Sequence, residues 1–269
     1  MATTHGKKGI IYKWNGVAGD LSDEPCTVTG NDAQITDSTK RILNPNVTVT
    51  FSQAVWAAST AYSLNDLRVP TSPNGFVYKV TTEGTSGSVE PTWPTTIGAT
   101  VLDGTVEWTC DHLCRLVNID YANGTAHFSG VPAPVTCSGT GAYVPTGNLV
   151  KTGYLYEWTL SVDLEVSEYN SFQSDWKNFM AGHASANGSA KGWFVGTNWW
   201  DDFEDNVDGT MDFFFLQLFT YDPDDDRTGD HFDCWVMFSG FELPVGMTGP
   251  VSETVSFQVL GYPPFTPNA

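Results

Sequence analysis

A chain of 269 residues, 41% apolar and 13% aromatic, is long enough for one large or two small cores. Its formal charge of −19, from 31 acids against 12 bases, excludes a protein that grips nucleic acid, because holding phosphate needs clustered Lys and Arg. It has no apolar run long enough to cross a membrane, and no apolar signal core follows Lys7 and Lys8, so synthesis and retention in a cytoplasm are expected.

Residues 8–14 read as a short strand closed by Asn15-Gly16, a hairpin dipeptide. Residues 17–41, with Gly19, Pro25 and Gly30, read as loop and short strands. Residues 47–51, Val-Thr-Val-Thr-Phe, alternate as a strand does.

The texture then changes. Residues 54–112 hold Trp56, Tyr62, Phe76, Tyr78, Trp93 and Trp108 among many Thr, Ser, Gly and Pro, with turn signals at Asn74-Gly75, residues 84–87 and Asp103-Gly104. This predicts a small all-β unit near the lower size limit for an independent core, which accounts for its dense aromatics. Strands are expected over residues 67–70, 76–81 and 105–109. The aromatics could instead form a sugar-stacking platform, with Tyr62, Tyr78 and Trp93 as the candidates; the plainer reading is that they are the unit's own core.

After residue 112 the first texture resumes. Residues 117–121 and 125–128 flank Ala122-Asn123-Gly124, a hairpin by composition, and residues 134–144 give a further strand. The expected organisation is therefore a discontinuous larger domain, 1–53 and 113–269, with the unit 54–112 inserted into it.

Residues 154–166 are the longest patterned run. Tyr154, Tyr156, Trp158, Leu160, Val162, Leu164 and Val166 alternate with Glu157, Thr159, Ser161, Asp163 and Glu165, a period of two that predicts one buried and one wet face. At about 3.4 Å per residue this strand would run on the order of 40 Å. That exceeds the needs of a compact sandwich, so it belongs to a large sheet or reaches beyond its own subunit. A helix is expected next: Asn170 and Gln173 have capping-box spacing, Phe172, Trp176, Phe179 and Met180 share one helical face, and Gly182 is a natural stop. Residues 211–221, 232–243 and 251–260 read as strands. The first is apolar on both faces, which means a central layer or a subunit interface, and Phe214, Leu216 and Leu218 are the interface candidates.

Residues bearing reactive chemistry are scattered. Five cysteines at 26, 110, 114, 137 and 234 imply no disulfide framework. Cys110 and Cys114 flank His112, but a fourth ligand at zinc-type spacing is missing, so buried thiols are expected. The acidic clusters at 199–205 and 222–226 fix no carboxylate pair of the kind a glycosidase needs. Asp222, Asp224, Asp226 and Asp230 have calcium-loop spacing, but Arg227 replaces the required glycine, and a solvated hairpin loop is expected instead. No nucleophile, phosphate-binding or dinucleotide motif occurs, so neither enzyme activity nor a cofactor is expected.

Two resemblances follow. Residues 1–11, 117–130, 154–182 and 250–262 resemble, in their order of long strand, capped helix and paired strands, major tail tube proteins of long-tailed, siphovirus-like phages. Residues 56–66, 74–79, 84–94 and 103–108 resemble a small module similar to chitin-binding-type carbohydrate modules, with Asn65 where a glycine is common. The first resemblance implies a mainly β fold of sandwich or barrel type with one helix. It also implies a virion protein, assembled in the host cytoplasm, whose hexameric rings stack into a tube around a tape-measure protein, meet tail-end proteins, and later conduct DNA during ejection without binding it. Glu157, Thr159, Ser161, Asp163 and Glu165 are then candidate lumen residues, and a negative wall would let DNA slide. The alternative is a carbohydrate-binding or adhesion protein on a β-sandwich scaffold.

Overall fold

A computed structural model describes residues 2–6, 8–169, 178–193, 213–220, 230–242, 252–261, 263 and 265–266. The chain divides into two compact units, one of residues 1–17 and 146–269, the other of residues 18–145. The first unit opens with β1 (Ala2–Gly6) and β2 (Lys8–Trp14).

The second unit contains β3 (Gly19–Thr29), β4 (Asp32–Ile35), β5 (Thr50–Gln53), β6 (Ala61–Tyr62), β7 (Leu67–Arg68), β8 (Phe76–Thr82), β9 (Gly84–Thr85), β10 (Thr100–Asp103), β11 (Val106–Leu113), β12 (Leu116–Asp120), β13 (Thr125–Phe128) and β14 (Val135–Tyr143). A six-stranded sheet runs β12-β13-β4-β3-β14-β5, a four-stranded sheet runs β10-β11-β8-β7, and β6 pairs with β9. The hairpin expected around Ala122-Asn123-Gly124 joins β12 to β13: Asp120 accepts hydrogen bonds from the Ala122 and Asn123 N–H groups, and Gly124 takes φ +58°.

Residues 56–110 enclose a cluster of Trp56, Tyr62, Tyr78, Val80, Val106, Trp108 and Cys110. The expected boundaries of the small module nevertheless fall inside the second unit. Its Val69 and Val77 are buried in the other cluster of that unit, with Ile35, Leu43, Phe51, Ala126 and Phe128. β8 is the reason: neighbouring residues on opposite faces of a strand serve two cores, Val77 one and Tyr78 the other. The two compact units divide at 17/18 and 145/146, and residues 54–112 lie within the second of them.

The chain then returns to the first unit with β15 (Leu149–Tyr169), β16 (Asn178–Trp193), β17 (Phe214–Phe219), β18 (His231–Glu242), β19 (Ser252–Leu260) and β20 (Phe265–Thr266). All pairings are antiparallel, and they close on themselves: β15 pairs β16, then β19, β18, β17 and β2 follow in turn, and β2 pairs β15 again. A closed ring of six strands removes every edge, and β1 extends it along residues 158–162 of β15. Inside lie Ile11, Leu155, Trp158, Leu160, Phe214, Leu216, Leu218, Val236, Phe238 and Phe257, with the Phe214 and Phe238 rings stacked at 4.2 Å. Asn15-Gly16 ends β2, with Gly16 at φ +83°, but β2 pairs with β15 and β17 and not with β3, so this turn is an exit rather than a hairpin.

Three expectations need correcting here. Phe214, Leu216 and Leu218 are fully buried in the barrel's own core, so they cannot meet a second subunit. The other face of β17 is also covered within the chain, where Phe215 meets Trp235 edge-on at 5.4 Å. The expected helix at 170–182 is not found over 178–182, which are strand, paired with β15; residues 170–177 lie outside the described residues. The even positions of 154–166 are not one buried face, because Tyr156 is an extra residue between the pairs Leu155↔Gly192 and Glu157↔Lys191. This bulge reverses the alternation, so Leu155 points inward and so do Trp158 and Leu160, while Tyr154 is exposed.

Candidate functional site: a hairpin arm

β15 has 21 residues, roughly 70 Å of extended chain. Only part of it is barrel wall. β1 covers it as far as Val162, and β19 covers β16 no further than Asn187. Beyond those points, among the described residues, β15 and β16 pair only with each other, through Asp163↔Ser185 and Leu164↔Ala184 to Tyr169↔Asn178. The result is a two-stranded arm running roughly 24 Å past the last barrel pairing.

The arm's two faces differ. Val162, Leu164 and Val166 stand 41%, 56% and 54% exposed, an apolar stripe that the described residues leave largely open. The opposite face begins on the barrel wall, where Lys191 donates to Glu157 at 3.1 Å and Thr159 bonds Ser189 at 2.9 Å, and continues through Ser161 and Asp163. Glu165 sits at a second bulge, between Leu164↔Ala184 and Val166↔Ala181, and is exposed. The five candidate lumen residues therefore belong to one continuous strip of β15, mostly acidic and hydroxyl. Close packing of the two strands depends on Gly188, where a Cβ would come within 2.1 Å of the Thr159 carbonyl oxygen and 2.5 Å of the Phe257 ring.

The apolar stripe is what the period of two assigns to a buried face. The length of the strand already points beyond a compact core; what the alternation misses is that the far end of its apolar face stands exposed.

The sugar-stacking candidates are placed differently from that expectation. Tyr62 and Tyr78 are buried, and Trp93 is half-buried between Tyr78 and Trp108, its ring 4.3 Å from the first and 5.6 Å from the second, while Tyr62 meets Trp108 at 4.8 Å. The Tyr78 hydroxyl donates to the Pro94 carbonyl at 2.7 Å, and the Trp93 indole N–H donates to Glu90 at 2.8 Å. Tilted or edge-on to one another, these rings pack as the core of the unit, and of the three candidates only Trp93 keeps part of its ring at the surface. Asn65 adopts φ +72°, the left-handed conformation that explains why glycine suits this turn and asparagine tolerates it.

Cys110 and Cys114 are buried, and burial raises both thiols above the ordinary range. His112 is held by Asp111 and by the Val131 carbonyl, each at 2.7 Å, so its two nitrogens are occupied. Among the described residues no group of three metal-ligating side chains occurs. The acidic cluster at 199–205, and Asp222, Asp224 and Asp226, lie outside the described residues.

No family model matches the chain, and neither does any curated protein. Solved structures similar to it include the following two. One is the tail of an empty gene transfer agent particle refined with helical C6 symmetry, at 19% identity over 45% of this chain and 88% of that one, TM-score 0.34. The other is the virion of the native gene transfer agent particle, at 19% identity over 44% of this chain and 88% of that one, TM-score 0.33.

Proposed function

We propose that the protein is a structural subunit of a phage-like virion tail. In this reading the barrel unit assembles into stacked hexameric rings that form the tube through which DNA passes, around a tape-measure protein and against tail-end proteins. The observation that carries it is the arm. A two-stranded hairpin has little stability alone, and one that also displays Val162, Leu164 and Val166 to water leaves an apolar stripe that a neighbouring subunit would cover. The ring of six strands closes on itself and leaves β1 as its outer strand, so the arm becomes the element by which copies join in a defined register.

The strip Glu157, Thr159, Ser161, Asp163 and Glu165 is the proposed lumen wall. An acidic lining repels phosphate, and with 12 bases against 31 acids the chain has few cations to slow a passing duplex. Electron microscopy of the purified protein tests the proposal. Rings or tubes are the expected result; a monodisperse monomer at high concentration would overturn it. In an assembled structure, a lumen carrying more Lys and Arg than Asp and Glu would overturn the lining.

A further inference from the structure

A groove of about 710 Å³ opens in the second unit. Phe51, Val69 and Phe128 make its apolar floor, and Gln53, Arg115 and Leu116 stand on its rim. Three observations distinguish it from an incidental furrow. First, in a chain with 31 acids none of the residues lining this groove is acidic, and one is an arginine. Second, no carboxylate pairs with the Arg115 side chain among the described residues. The backbone beneath it is fixed: Arg115 N–H donates to Ser129 Oγ at 3.0 Å, its carbonyl accepts from Ser129 N–H at 2.9 Å, and the guanidinium lies against Gly75. Third, the groove is bordered by β5 and β12, the two end strands of the six-stranded sheet, so each has an edge that no strand of the sheet covers.

Free strand edges recognise one thing well, an extended backbone that can add to the ladder. An apolar floor takes the alternate side chains of such a strand, and an unpaired guanidinium takes a carboxylate in bidentate fashion. We propose that this groove docks an extended polypeptide segment of alternating apolar residues carrying a single acidic residue, which adds as a strand to one of these edges and sets its carboxylate on Arg115. The single acid matters, because a strongly acidic partner would be repelled by the net charge of −19. Leu116 and Val55, each 46% exposed, supply apolar contact at the rim. The proposal stands on the second unit alone and does not rest on the tail assignment.

The test uses the full chain and a fluorescein-labelled, end-capped peptide Val-Thr-Val-Glu-Val-Thr-Val, followed by anisotropy. Saturable binding is expected. It should weaken about tenfold when the glutamate is replaced by lysine, when salt is raised, or in Arg115→Gln and Arg115→Glu, whose thermal unfolding should match the parent. A peptide with proline at the position after the glutamate should bind poorly, since it cannot complete the ladder. Absence of saturable binding, binding indifferent to both Arg115 variants, or equal binding of the proline peptide would each overturn the proposal. So would binding of polygalacturonate, an acidic glycan, in preference to the peptide.

Discussion

Asp103 presents two oxygens to three donors: the Trp56 and Trp108 indole N–H groups reach Oδ2 at 2.7 and 3.2 Å, and the Gly87 backbone N–H reaches Oδ1 at 2.7 Å. The side chain is buried, so none of these donors can turn to water instead. Asp103→Ala should cost on the order of 3 kcal/mol or more, because each stranded donor bears its own desolvation penalty. Tryptophan fluorescence during thermal unfolding would register it. Glu253 makes the opposite case. It is 4% exposed on β19, its Oε2 has no hydrogen-bond partner among the described residues, and burial pushes its carboxyl up from 4.5 to about 7. A raised carboxyl means that the folded state holds the proton more tightly than the unfolded one. Stability from this group is therefore complete below about pH 4.5 and is lost as pH rises through about 7, by up to roughly 3 kcal/mol. Glu253→Gln should flatten that slope and be the more stable protein at pH 8; denaturant midpoints at pH 5 and pH 8 would show it. An unchanged slope would mean that other groups set it. Neither role could be read from the chain, since Asp103-Gly104 signals a turn and Glu253 lies in an alternating strand, and a carboxyl's burial depends on what folds over it.

At the scale of the element, β15 and β16 show how far patterning reaches. Alternation identified the long strand and its polar residues. It could not show the extra residue at Tyr156, because one inserted position looks like ordinary variation while it reverses inside and outside for everything before it. The helical spacing of Phe172, Trp176, Phe179 and Met180 is genuine in the sequence, yet residues 178–182 pair with β15 along an existing edge, and tertiary hydrogen bonding outweighs a periodicity over so few residues. The stripe gives this scale its prediction. Leu164→Asp, alone or with Val166→Asp, should leave the barrel folded, because both positions are more than half exposed, and should abolish assembly by placing charge in a dry contact. Sedimentation and circular dichroism together check it: unchanged secondary structure with loss of large species is the expected outcome, and tubes formed by the double variant would count against the arm as the joining element. Phe214→Asp, by contrast, should unfold the barrel, since Phe214 is in its core.

At the scale of the whole molecule, the chain leaves and re-enters the barrel unit at neighbouring points. The Asn15 N–H donates to the Asn148 carbonyl at 3.1 Å, and Asn148 Nδ2 donates to the Val17 carbonyl at 3.0 Å. An insertion between adjacent ends can be removed with little entropic cost. Replacing residues 18–145 with a short Gly-Ser bridge should yield a soluble barrel that unfolds cooperatively. Removing only residues 54–112 should not leave a stable remainder, because Val69 and Val77 would leave the core they share with Ile35, Phe51 and Phe128. Expression and calorimetry of both deletions decide between the two boundaries; a well-folded protein lacking only 54–112 would restore the smaller module.

The mainly β class, most of the strands though not β16, the change of texture near residue 54 and the acidic excess were determined by the amino-acid sequence, because each depends on local composition or on a period of two. The boundaries of the units, the closure of the barrel and the fate of each apolar face were decided only by tertiary structure. An apolar residue states that it will be covered, but not by which partner: Phe214 and Leu164 read alike in the chain, and only the closing of six strands encloses the first and leaves the second outside.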